Sequence, residues 1–283
     1  MGGLNVVLTG VPRSGTTLVC HLLNKLPDTV ALYEPMDPEA VAQAGEREAM
    51  CDAIERFFAE TRESVRVRGI ARSRQFGGRV PDNPADDVFG PEGLRASRMS
   101  SGEIRVDPAL SERFVLVVKH NAMFTALMDT LRERFPCYAV VRNPLAALAS
   151  WNTVAMPVQD GHAPAAERID QELARTLGRL GDRTARQLHL LSWFCERYRR
   201  LLPRDRVLRY EDVLASRGRV LAAVAPGAAR LDETMSSKNA NPLYDPRVVA
   251  DLGARLLRSE GAYWSFYSRE SVGRLMTDVL TCQ

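Results

Sequence analysis

Lysine is almost missing from this chain: its 38 basic residues are all arginine apart from Lys25, Lys119 and Lys238. Set against 35 acidic residues they leave a formal charge of +3, too small to argue for a nucleic-acid partner. Cysteine is sparse as well. Cys20, Cys51, Cys137, Cys195 and Cys282 never stand at C-x-x-C spacing, so neither a zinc site nor a disulfide framework is suggested, and reduced thiols are the simplest reading. There is no paired-carboxylate or His/Cys cluster, so no metal is expected. No uninterrupted apolar run is long enough to span a bilayer, and a glycine turn is reached by residue 10, which leaves no room before it for a signal peptide; a reducing cytoplasm is the expected setting.

What is present is an ordinary globular composition, 45% hydrophobic and 26% charged over 283 residues, enough for one large α/β domain or two small ones. Short, nearly continuous apolar runs occur at 5–10 (NVVLTG), 30–33 (VALY), 114–120 (FVLVVKH), 137–142 (CYAVVR) and 206–210 (RVLRY). Each precedes a helix-like segment, which is the signature of a parallel sheet buried on both faces. Helical spacing marks 122–135, 166–201 (with a break near Gly178 or Gly181) and 246–280, and Asn143-Pro144 is an N-cap followed by proline at the first helical position. Residues 64–112 are rich in Gly, Pro and Asp around GGRVPDNPADDVFGPEG and predict little regular structure: a lid, a binding segment or a disordered tract.

The first run opens into GVPRSGTTL. Glycine turns that lead directly into a helix present backbone N–H groups to an anion. The spacing from Gly10 to Gly15 is that of a nucleotide-triphosphatase loop, but Thr16 occupies the lysine position and Arg13 sits inside the loop. In a parallel sheet, ligands bind beyond the carboxyl ends of the strands. The residues that follow the five runs are the Arg13 loop, Glu34, Lys119 with His120, Arg142, and Tyr210 with Glu211 and Asp212. Three cations and one carboxylate around a helix start suit an anionic cosubstrate and a single general base. Trp193, Phe194 and the aromatics of 262–267 read as core, and the arginines at 62, 66, 68, 72, 74 and 79 as a solvated basic loop.

GVPRSGTTL followed by LPDTVALYEP resembles the sulfotransferases that use 3′-phosphoadenosine 5′-phosphosulfate (PAPS), nearest to the tyrosylprotein and Golgi carbohydrate branches. VVRNPLAALASW is similar to that family's 3′-phosphate motif, with Arg142 and Ser150 eight residues apart, and VLRYEDVLAS, LVVKHN and SSKN (236–239) match further segments. The resemblance covers 5–35, 114–151, 206–215 and 236–239, and nothing in 36–112.

It implies a single domain over 1–283 with a P-loop-like three-layer α/β fold, a central parallel sheet flanked by helices, and a loop-rich acceptor or lid segment at about 36–112. The implied reaction is PAPS-dependent sulfuryl transfer to a hydroxyl of a small molecule or carbohydrate, yielding adenosine 3′,5′-bisphosphate without a metal. The implied catalytic residues are Glu34 as base, Lys119 and Arg13, with His120 as the alternative base. The cosubstrate would meet Arg13, Ser14, Gly15, Thr16, Thr17, Arg142, Ser150, Tyr210 and Ser237. The cytosolic branch differs: its histidine lies two residues past the lysine, whereas His120 is adjacent, and its C-terminal Arg-Lys-Gly clamp is absent. A P-loop kinase shares the glycine turn, and a non-catalytic adenosine 3′,5′-bisphosphate sensor or an arginine-rich nucleic-acid module would share the arginines.

Overall fold

The computed structural model describes residues 3–281 except 86, 91–92 and 107–108. Cys282 lies outside the described residues; the other four cysteines are buried free thiols. Five parallel strands form the central sheet: β1 (Asn5–Gly10), β2 (Thr29–Tyr33), β5 (Val115–Lys119), β6 (Cys137–Val141) and β7 (Val207–Arg209), in the order β2-β5-β1-β6-β7. The expected α/β fold with a helix-flanked parallel sheet is what forms. Along β1, Val6 and Leu8 face one apolar layer while Val7 faces the other, so both faces are covered and the run reads as continuously apolar.

One layer contains α1 (Thr16–Leu23). The other is built from α3 (Arg47–Arg68), which follows the short α2 (Pro38–Ala42), together with α4 (Ala122–Ala126), α5 (Met128–Arg134), α6 (Pro144–Trp151), α9 (Arg183–Leu201), α11 (Pro246–Arg258) and α12 (Arg269–Thr281). Short helices α7 (Pro164–Glu167), α8 (Gln171–Arg179) and α10 (Tyr210–Ala215) complete the set. Asn143 caps α6 as expected, its side chain accepting from the Leu145 N–H at 3.0 Å.

Three helical stretches are broken more often than their periodicity predicts. The 122–135 pattern parts at Leu127 because the Thr125 and Ala126 carbonyls accept from Arg197, and Ala126 also from Arg47, instead of continuing one helix. The 166–201 pattern is interrupted around residue 170 as well as at Leu180–Asp182, where Asp182 caps α9. The 246–280 pattern is two helices separated at 259–268.

The largest difference lies in 64–112. Here α3 runs on to Arg68, and β3 (Ile70–Gln75) pairs antiparallel with β4 (Ser100–Arg105). Both strands are polar, so hydrophobic patterning does not reveal them. The hairpin is fastened to the body by Ala71 and Ile104, buried in the core, and by a side chain, Ser73 Oγ, which accepts the Tyr33 N–H of the edge strand β2 at 3.0 Å.

Candidate active site

All five central strands end at one cleft of about 1170 Å³, lined by Arg13, Gly15, Thr16, Thr17, Glu34, Lys119, His120, Arg142, Ser150 and Tyr210 among others. Ser14 and Ser237 do not line it. Ser14 is fully buried, with its hydroxyl donating to Val140 O at 2.8 Å and its N–H to Val11 O at 3.0 Å, so it shapes the turn. Ser237 is exposed, and its hydroxyl accepts from the Asn239 N–H at 3.2 Å.

The turn between β1 and α1 is held in an unusual backbone shape. Arg13 has φ 67° and Gly15 φ 90°, both left-handed. A Cβ on Gly15 would stand 2.7 Å from the Tyr210 ring, so glycine is required there for closeness as well as for φ. Trp151 Nε1 clamps the turn by donating to Pro12 O at 2.7 Å. Beyond it, the first-turn amides of α1 have no intrahelical partner, and α1 carries no acidic residue in that turn.

Two guanidinium groups flank this helix start. Arg142, only 7% exposed, donates to Asn239 Oδ1 (2.7 Å), Arg13 O (3.0 Å), Tyr244 OH (3.3 Å) and Lys238 O, and lies 4.9 Å from the Tyr210 ring centroid. Half-buried Arg13 donates to Ser150 Oγ at 3.2 Å and to Asn83 Oδ1 at 3.3 Å. Among the described residues neither has a carboxylate within ion-pair distance. Burial, then repulsion from Arg95 and Arg142, lowers the Arg13 guanidinium to about 10. Cations that repel one another around unpartnered amides form a site for a bound anion. Ser150 therefore meets Arg13, whereas its pairing with Arg142 through a shared phosphate is an expectation carried by the family motif.

At the β2–β5 edge the pattern reverses. Lys119 Nζ, 1% exposed, donates to Glu34 Oε1 at 2.7 Å and sits 4.1 Å from the Tyr33 ring centroid; Arg74 Nη1 reaches Glu34 Oε2 at 3.4 Å. Glu34 has φ 43° although Pro35 follows it, a conformation disfavoured on both counts, and its N–H continues the ladder to Lys119 O at 2.8 Å. Burial alone would raise the Glu34 carboxyl, but the Lys119 charge and hydrogen bond, with Arg74, outweigh it and hold the group below the ordinary carboxylate range. Burial pushes the Lys119 ammonium down, against the pull of Glu34.

His120 is buried and lowered to about 3, burial being the chief cause. Its Nε2 accepts the Met36 N–H at 3.2 Å, so that nitrogen carries no proton and its lone pair is occupied. No group of three or more potential metal ligands occurs among the described residues, and no helix there is long and apolar enough to cross a membrane.

Several residues that line the cleft or support the fold around it escape sequence reasoning. Arg72 and Arg74 are the same-face positions of β3 and both line the cleft, and Arg62 is a structural anchor to Asn5, Leu4 and Phe114; none of these three belongs to a merely solvated basic loop. The i, i+2 spacing of Arg72 and Arg74 was the available signal. Asn239 was missed beside Ser237. Glu211 holds it, accepting from Asn239 Nδ2 (2.8 Å), the Asn143 N–H (3.0 Å) and Tyr267 OH (2.6 Å).

No protein-family model matches this chain, and no curated protein does either. Among solved structures, a sulfotransferase from Mycobacterium tuberculosis aligns over 98% of this chain and 77% of its own, at 13% identity and a TM-score of 0.33.

Proposed function

We propose that this protein is a sulfotransferase that moves a sulfuryl group from PAPS to an acceptor hydroxyl. The observation that carries the reading is the pair Arg13 and Arg142, two guanidiniums without carboxylate partners among the described residues, at the start of α1 and in one cleft with the Glu34–Lys119 pair. When bound, PAPS would supply the transferable sulfuryl group and two phosphates. The residues present fit such a molecule: Gly15 keeps the cradle open to within van der Waals reach of Tyr210, and the two arginines can each neutralise an anionic group.

In this reading Arg142, with Ser150 and Tyr210, holds the nucleoside end, and the amides and hydroxyls of Thr16 and Thr17 with Arg13 hold the 5′ end. Glu34 is ionised at neutral pH and positioned to accept the acceptor's proton. While Lys119 is bound to it, its basicity is suppressed; turning the ammonium toward an anionic donor raises it. His120 has no free lone pair at Nε2 to do the same. The tyrosylprotein and carbohydrate branches remain the nearest comparison, because Glu34 follows the loop at their interval. The same proposal takes 1–283 as one domain with 36–112 as its acceptor or lid segment, and a reducing cytoplasm as its setting, supported by four unpaired thiols.

The test is thermal. Ligands that bind only the native state raise the melting temperature by mass action. Adenosine 3′,5′-bisphosphate is expected to raise Tm well beyond AMP or ATP at equal concentration; an equal shift with AMP would remove the 3′-phosphate assignment of Arg142 and Ser150.

A further inference from the structure

The cleft has two chemically unlike ends, and strand order separates them. From β7 to β2 there are four strand spacings, roughly 19 Å at ~4.8 Å each. Arg142 and Tyr210 stand at the β6–β7 end and Glu34 at the β2 end. The lining also includes Met36 and Met123, which follow β2 and β5, and the stretch 155–165, with Met156, Val158 and Pro164, which starts beside Arg95, where the Ala155 N–H donates to Arg95 O at 3.0 Å, and whose α7 packs on α4. The lining residues of that stretch include no Asp, Glu, Lys or Arg; its one titratable lining group is His162. Of the other lining carboxylates, Asp82 and Asp87 belong to the loop after β3, and Asp37 is engaged as the N-cap of α2, accepting the Glu39 N–H at 3.0 Å.

His162 is held in a fixed orientation. Its Nδ1 lies 3.1 Å and 3.3 Å from the two Glu167 oxygens, and Glu167 is itself fastened by the Ala163 N–H at 2.6 Å. In the neutral ring, a carboxylate at Nδ1 keeps the proton on that nitrogen and leaves Nε2 as an acceptor. Three methionines suit an apolar surface that must adapt its shape, and along this wall, unlike the β3 side where Arg72 and Arg74 line the cleft, a polyhydroxylated or polyanionic molecule would find few partners.

We propose that Met36, Met123, Met156, Val158 and Pro164 form the acceptor subsite, that it takes a hydroxyl carried on a largely apolar scaffold, and that His162 Nε2 accepts the hydrogen bond that orients it. The word acceptor rests on the sulfotransferase reading. The subsite itself does not.

Calorimetric titration of the full chain with 1-decanol and 2-adamantanol, with and without saturating adenosine 3′,5′-bisphosphate, tests this, with maltose and a chondroitin disaccharide as polar and anionic comparisons. The apolar alcohols are expected to bind in both conditions and the sugars not to. Met156→Gln and His162→Ala are each expected to weaken alcohol binding by roughly tenfold, the size of one lost apolar contact or hydrogen bond. His162→Gln, which retains an acceptor, is expected to recover part of the loss. A cooperative thermal unfolding transition without ligand, at a Tm close to wild type, reports that the variants are folded. Preferential sugar binding, absence of alcohol binding, displacement of the alcohol by the bisphosphate, or unchanged affinity in both variants overturns the subsite. Alcohol binding that the variants weaken, in a protein the bisphosphate does not stabilise, retains the apolar subsite and overturns the sulfotransferase reading.

Discussion

The two ends of the cleft treat their cations differently. At the β1–β6–β7 end, Arg13 and Arg142 are met by carbonyl, amide and hydroxyl oxygens. At the β2–β5 end, Lys119 and Arg74 converge on one carboxylate. A cation supported by neutral oxygens keeps its charge available to an incoming anion, whereas a cation held on a carboxylate has its charge engaged and must be released before either member acts. In the proposed sulfotransferase reading, the first end would bind and the second would change during the reaction. Substitutions that separate affinity from turnover test that division.

The largest effect is expected at Glu34. Glu34→Gln keeps the size and a hydrogen-bonding oxygen for Lys119 but cannot take a proton, so single-turnover rates should fall by roughly 10²–10⁴-fold. The Tm shift given by adenosine 3′,5′-bisphosphate should persist. A parallel loss of nucleotide binding would place Glu34 among the binding groups and erase the contrast between the two ends.

Arg142→Ala should do the converse. Losing a charge-assisted contact to a phosphate weakens nucleotide binding by roughly 10–100-fold, with a smaller effect on the rate at saturation. Because Arg142 also ties Asn239 and Tyr244 to the sheet, Arg142→Lys is the companion variant: it keeps the charge and loses the fork. An unchanged Kd for the bisphosphate in both would show that the guanidinium serves only to hold residues 238–244 in place.

How much of this was legible follows from what each part is made of. The central strands could be read because burial on both faces makes them continuous apolar runs, and each is followed by the polar residue that reaches the cleft. Glu34, Lys119, Arg142 and Tyr210 stood at strand ends and so were visible as a set. Strands β3 and β4 were not, since IARSRQ and SSGEIR have no apolar periodicity and are held by pairing and by Ser73. The Arg74–Glu34 contact spans 40 residues and depends on that unseen hairpin. The break at Leu127 likewise originates outside the helix, from Arg47 and Arg197. Sequence pattern reports a residue's own burial; it is silent on a partner brought in by distant chain.

His120 gives the smallest and most discriminating prediction, because the resemblance leaves it as the alternative base while the geometry occupies its lone pair. Burial lowers its imidazole from 6.5 to about 3, so in the folded protein it stays neutral while in the unfolded chain it takes a proton below about pH 6.5. The unfolded state then binds more protons, and stability contributed by neutral His120 is fully present above pH 6.5 and is lost as pH falls from there toward 3. His120→Asn removes that titration, so its melting temperature should decline less steeply than wild type between about pH 6.5 and 4. An amide oxygen can still accept the Met36 N–H, and turnover at neutral pH should remain within a few-fold of wild type. A collapse of turnover in His120→Asn, with Glu34→Gln near wild type, would transfer the base to the imidazole; it would also mean that the Met36 hydrogen bond opens during the reaction, since Nε2 has no lone pair to offer while it is made.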